Sequence, residues 1–131
     1  MELKNRIVMA PMGTNCGTGE GYVTEQLKDY YEERAKGGVG LIIVEATCVN
    51  SPVGKALVRQ LTIDDDRFLP GLSQVVQVIH QHGAKVALQL HHAGNATKSS
   101  ITHCQPVAPS PITRSGYDLP RELNLEEIEE V

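Results

Sequence analysis

The chain has no apolar run of the ~20 residues that a membrane helix needs. Its longest, Val39–Val44, is short and contains Gly40. It has no Lys/Arg cluster, and 12 basic against 16 acidic residues give a formal charge of −4 over 131 residues. Mild acidity without a basic patch argues against nucleic acid or an anionic membrane surface as partner. The opening MELKNRIVMAP lacks the apolar core and cleavage site of a secretory signal. Cysteine is scarce: Cys16, Cys48 and Cys104 lie far apart and form no Cys-x-x-Cys pair. A disulfide framework is thereby excluded, and a reducing cytoplasm is the expected setting. Those cysteines read as small packing residues.

Two ligand motifs fail as well. Gly17-Thr18-Gly19-Glu20-Gly21 begins like a dinucleotide loop, but Tyr22 stands where the last glycine belongs, and Glu20 would repel phosphate. No Gly-Lys-Ser/Thr follows, which excludes a P-loop. The stretch reads as a plain flexible turn. His91, His92, His103 and the cysteines lack the local spacing of metal ligands, so no metal site is expected. His80 and His82 fit the solvated last turn of a helix.

What the chain does have is alternation. Residues 5–10 read as a short buried strand that Pro11 ends, since proline gives no N–H to a ladder. A helix spans about residues 25–36, capped by Thr24, stopped by Gly37-Gly38 and striped by Leu27, Tyr31 and Ala35. Residues 39–44 form a near-continuous apolar strand of the kind buried on both faces of a parallel sheet. An irregular stretch from Cys48 to Asp65 precedes a second helix over about residues 70–82, where Phe68, Leu72, Val75, Val76 and Ile79 keep helical spacing. Pro70 suits its first turn and Gly83 its C-cap. Residues 85–90 form a third strand, followed by a proline-bearing loop of about thirty residues, a length that in compact domains is often functional. Asn124 and Glu127 then stand at the spacing of a capping box.

The order β-α-β-α-β-loop-α calls for a parallel sheet covered by helices, either a doubly wound open sheet or the first part of a (β/α)8 barrel. The barrel usually needs roughly 250 residues. In both, ligands sit beyond the carboxyl ends of the strands. Three stretches converge there: Ala10-Pro11-Met12-Gly13, Glu45-Ala46-Thr47 and Gln89-Leu90-His91-His92-Ala93-Gly94. Gln89 interrupts an apolar strand, and a buried amide must find partners. It either bonds a neighbouring loop or contacts a ligand. Its paired donor and acceptor suit a heterocycle with a carbonyl beside an N–H, such as the pyrimidine end of a flavin. Glu45 reads as a salt-bridge residue of the rim or as a group of the mouth.

Residues 3–12, Leu-Lys-Asn-Arg-Ile-Val-Met-Ala-Pro-Met, resemble the opening strand of the old yellow enzyme family of FMN-dependent NAD(P)H oxidoreductases. Residues 30–46 are similar to its first helix and second strand, and residues 89–94, Gln-Leu-His-His-Ala-Gly, to the end of its third. Pro109-Ser110-Pro111-Ile112 and Leu125-Glu126-Glu127-Ile128 follow in family order. Gly13-Thr14-Asn15 is most similar to the bacterial branch of enoate and 2,4-dienoyl-CoA reductases. The resemblance implies a (β/α)8 TIM barrel with FMN at its mouth. Ala10, Pro11, Met12 and Gly13 would line the flavin chiefly through backbone, Ala46 would contact the rings, and Gln89 would bond the pyrimidine edge. NADH or NADPH would be the reductant, and an activated alkene, an enoate or enoyl thioester, the substrate.

Three departures from the family pattern matter. Gly13 stands where many relatives carry Cys or Thr, and Asn95 where Arg commonly follows. The family's substrate-anchoring His-x-x-His or His-x-x-Asn pair, its proton-donating Tyr and its phosphate site lie further along than Val131. His91 and His92 are not that pair, and no catalytic residue is assigned. Residues 1–131 are therefore expected to form one incomplete FMN-binding barrel domain of about three βα units, cut at its C-terminus and slightly at its N-terminus. Alone it should be inactive, and it should self-associate or need the rest of the barrel. Two alternatives are a trimethylamine-dehydrogenase-like flavin enzyme, with a 4Fe-4S cluster in a later part, and a non-catalytic barrel subunit that needs a partner chain.

Overall fold

A computed structural model describes residues 2–131. Strand β1 (Val8–Met9), helix α1 (Glu25–Lys36), strand β2 (Leu41–Cys48), helix α2 (Leu69–Gln81) and strand β3 (Lys85–His91) come first. Short elements follow: α3 (Ser99–Thr102), β4 (Val107–Ala108), β5 (Arg121–Glu122) and α4 (Leu125–Glu130). The main sheet has the order β1-β2-β3, parallel throughout.

The helices begin and end where side chains meet orphan backbone groups. The Thr24 hydroxyl accepts the Leu27 N–H and donates to the Cys16 carbonyl at 2.6 Å, which ties the start of α1 to the loop before it. Gly38, at φ +93°, turns the chain out of α1. Pro70 sits in the first turn of α2, and Gly83, at φ +70°, follows its C-cap. The Lys4 ammonium donates to the His82 carbonyl there, at 2.7 Å.

One face of the sheet is covered. Ile42 and Val44 of β2 are buried against Leu27, Tyr31 and Ala35 of α1 and Leu72, Val75 and Ile79 of α2. Val86 and Leu88 of β3 pack on the same cluster. The side chains that alternate with these, Val8, Ile43, Ala87 and Gln89, stand on the other face, which no element among the described residues covers.

Six readings of the sequence need correction. The first strand is two residues long, because Asn5 intervenes: its Oδ1 takes the Ile7 N–H and its Nδ2 donates to the Gly38 carbonyl, so that of residues 5–7 the Ile7 carbonyl bonds β2, accepting from Leu41. The second strand runs on through Glu45 to Cys48, since a bulge there accommodates polar residues. The glycine stretch is a packed turn. A Cβ on Gly17 would lie 2.7 Å from the Arg59 carbonyl, and one on Gly21 (φ +100°) 2.7 Å from the Thr62 Cβ. The long proline-bearing segment is not bare: β4 and β5 pair in parallel, and Asp118 accepts from both the Ser99 N–H and hydroxyl. Lastly, Cys104 is exposed rather than packed, and His82 is not merely solvated, since its Nε2 lies 3.1 Å from Glu32 Oε1.

Candidate functional site

Strands β2 and β3 end together at one mouth, with Cys48 paired to His91, whereas β1 pairs only as far as Ile42; the segment after β1 runs on to Thr14, which bonds Glu45, and so reaches the same mouth. Its centre is the β2 bulge. Val44 pairs with Leu88 and Thr47 with Leu90, so β2 spends one residue more than β3 over the same distance. The extra residue turns Glu45 toward α1 and leaves Ala46, half-buried, on the open side.

Glu45 is not a rim salt-bridge residue. It is fully buried, and its Oε2 accepts the Thr14 hydroxyl at 2.7 Å and the Tyr31 hydroxyl at 3.2 Å. Its Oε1 is buried without a partner. The Tyr31 hydroxyl accepts the Glu45 N–H at 2.8 Å, one of the ladder groups freed by the bulge. Burial first of all, then the adjacent carboxylate, pushes the Tyr31 phenol well above its ordinary range. Thr14 also accepts the Cys16 N–H, so Glu45 anchors the loop that follows Ala10–Gly13.

His91 and His92 have separate partners. Gln60 Nε2 meets His91 Nδ1 at 3.1 Å, while His92 Nδ1 accepts the Gly94 N–H and its Nε2 is buried without a partner. Burial lowers the pKa of both imidazoles, helped at His92 by its neighbour. Cys48 is buried below the mouth, and burial raises its thiol pKa.

The sequence-derived candidates fall as follows. Ala10, Met12 and Gly13 are exposed past the end of β1, with Pro11 half-buried between them. A Cβ on Gly13 would stand 3.2 Å from Leu57 Cδ1, a close approach that a small shift of that side chain relieves. Ala46 and Gln89 share the open face, and Gln89 is exposed rather than buried in a loop contact. Asn95, the second departure, donates to the Ile112 carbonyl at 3.2 Å. No group of three His, Cys, Asp or Glu able to hold a metal exists among the described residues. Thr14, Tyr31 and Gln60 were missed. Tyr31 carried only a core signal, and Gln60 sits in an irregular segment without periodicity.

Parallel strands joined through helices, with the open face inside and small side chains at the strand ends, form the N-terminal part of a (β/α)8 barrel of the flavin oxidoreductase class. The model of the NADH:flavin oxidoreductase / NADH oxidase family matches residues 1–131, and the chain belongs to that family. It is 48% identical, over 131 residues, to an NADH oxidase of Thermoanaerobacter brockii; the match takes in 98% of this chain and 20% of that protein. It superposes on an old yellow enzyme homologue from Zymomonas mobilis with a TM-score of 0.86 and 34% identity, covering 98% of this chain and 38% of that one. A morphinone reductase in complex with tetrahydroNAD gives 0.87 and 31%, covering 98% and 39%. The chain thus spans well under half the length of these relatives. No described helix is long and apolar enough to cross a membrane.

Proposed function

We propose that the chain supplies the first three strands, and one side of the FMN pocket, of an NAD(P)H-dependent ene-reductase barrel. One observation carries this reading: Ala10 directly after β1, Ala46 in β2 and Gln89 in β3 lie toward the carboxyl side of three adjacent parallel strands, on the open face. Two methyl groups leave room for a flat ring system to lie close to backbone. The Gln89 amide offers a donor and an acceptor to the pyrimidine edge. The exposed backbone of Ala10–Gly13 borders the same space. These features fit an isoalloxazine, and they favour FMN over an NAD-binding open sheet.

Bound there, FMN would supply hydride transfer from a reduced nicotinamide to the β-carbon of an electron-poor alkene. The chain's own part is to seat and orient. Gln89 would hold the flavin through its amide, Ala46 would offer it a small apolar contact, and the exposed backbone of Ala10–Gly13 would border it. The groups that anchor the substrate and donate its proton come from outside these residues, and so would the ligands of any iron–sulfur cluster.

The uncovered face and the free edges of β1 and β3 are completed by further barrel strands, from the same polypeptide or another. Without them the chain self-associates and does not turn over. Its three free cysteines suit a cytoplasmic enzyme. The test is FMN titration of the complete protein, followed by flavin fluorescence, with Gln89→Ala beside it. Stoichiometric binding, weakened by the substitution, supports the reading. Tight binding of NAD without FMN would overturn it.

A further inference from the structure

The β2 bulge breaks the ladder where the mouth is built, and the freed backbone groups have to be satisfied by side chains. Two of the partners are close at hand. Tyr31 takes the Glu45 N–H, and the Thr47 hydroxyl donates to the Glu45 carbonyl at 2.9 Å. The third freed group, the Ala46 carbonyl, is served from a distant segment: Gln60 Nε2 donates to it at 3.0 Å.

Gln60 is 1% exposed, so it lies beneath the mouth and cannot touch a ligand in it. Its whole amide is engaged. Oε1 accepts the Ala56 N–H at 2.7 Å and the Leu57 N–H at 3.3 Å, and Nε2 also faces His91 Nδ1 at 3.1 Å. A flipped amide would set oxygen against the Ala46 carbonyl and NH2 against two N–H groups, so the orientation is fixed. It follows that His91 Nδ1 is the acceptor and that the neutral ring carries its proton on Nε2. Through these bonds one amide ties together Ala46 on β2, His91 two residues after Gln89 on β3, and the turn at Leu57, whose side chain lies beside Gly13 beyond β1.

We propose that Gln60 is a positioning residue of the flavin pocket, which sets the height of Ala46 at the bulge and its spacing from Gln89. The proposal rests on the FMN reading above. Displacing Ala46 moves the floor of the ring system, and with it the affinity and the electronics of the flavin.

The test uses the complete protein loaded with FMN, in three forms. Gln60→Glu keeps the acceptor for Ala56 and Leu57 but turns an oxygen toward Ala46 and His91. Gln60→Leu removes every bond. Ile79→Val thins the core between sheet and helices, far from the mouth, and controls for a general loss of stability. The readouts are the FMN dissociation constant, the visible absorption bands and midpoint potential of the bound flavin, and the protonation of His91 Nδ1 by nitrogen NMR. Both Gln60 variants are expected to weaken FMN by about tenfold or more, the scale of loss when the hydrogen-bonding partners that orient a metal's ligands are removed. They should also shift the bands and the potential, and Gln60→Glu should place a proton on His91 Nδ1 at neutral pH. Ile79→Val should leave the flavin readouts as in the wild type. Wild-type affinity, bands and potential in Gln60→Glu would overturn the proposal. So would equal effects in Ile79→Val. Should neither Gln60 variant fold, the wild-type holoprotein decides: slow exchange of the Gln60 amide protons with an unprotonated His91 Nδ1 supports the proposal, and fast exchange or a protonated Nδ1 contradicts it. A wild-type protein that binds no FMN defeats the FMN reading itself, and this inference with it.

Discussion

The Tyr31 hydroxyl accepts the backbone N–H of Glu45 at 2.8 Å and donates to the Glu45 carboxylate at 3.2 Å. One phenol on α1 thus holds both ends of the residue that forms the β2 bulge. The helix that buries the sheet's outer face also shapes the mouth on its inner side.

Tyr31→Phe should therefore cost about 2 kcal/mol, the scale for leaving buried partners unsatisfied. Urea unfolding measures the loss, and amide exchange at Glu45 should quicken more than at Val44. Equal protection at the two amides would show that the clasp contributes nothing.

The packed turn gives a contrast between glycines. Gly21→Ala puts a methyl against Thr62 in a backbone conformation with φ +100°, and should destabilise by about 2 kcal/mol. A Cβ on Gly19 meets nothing within 4 Å, and Gly19→Ala should stay within about 0.5 kcal/mol. Parallel melting of the two variants checks this; similar shifts would mean that the turn is not packed as described.

Helix α4 should loosen in acid. Arg121 donates to both carboxylate oxygens of Glu127, and the Asn124 N–H adds a third bond, which holds the carboxyl down to about 2 from 4.5. A depressed carboxylate stabilises the fold above its unfolded pKa, and the contribution is lost as pH falls through the folded value. The loss should fall between about pH 4.5 and 2. Side-chain NMR of Glu127 measures the midpoint, and Arg121→Ala should return it toward 4.5. An ordinary midpoint in the wild type would contradict the pairing.

The two mouth histidines should titrate below 6.5, because burial disfavours the imidazolium. The unfolded chain then binds more protons than the folded one. Stability is full above 6.5 and falls as pH drops toward the folded values. Proton NMR of His91 and His92 reads both midpoints; values at or above 6.5 would contradict the burial.

Much of the scaffold was legible because its signals are local. Thr24, Gly83 and the Asn124–Glu127 pair mark helix ends through bonds within a few residues, and the apolar stripe of α1 names its own buried side. The bulge left no such mark. The polarity of Glu45 and Thr47 argued for the end of a strand, whereas the ladder continues because Tyr31, Thr47 and Gln60 replace the lost bonds. Of these, Gln60 comes from an irregular segment where no period shows which side chains turn inward. At the mouth, Ala46 and Gln89 are singled out by their places near the strand ends, and their roles there rest on the proposal. Tyr31, which bonds Glu45, and Gln60, which bonds Ala46, became visible only when the chain was folded.

The most direct test is the binding of FMN to the complete protein and to its Gln89→Ala variant, followed by flavin fluorescence. The account expects one FMN per barrel and a loss of about tenfold or more in the variant, since a paired donor and acceptor leave the pyrimidine edge together. Equal affinity in the two proteins would contradict the placement of the flavin against β3, and with it the account of the mouth.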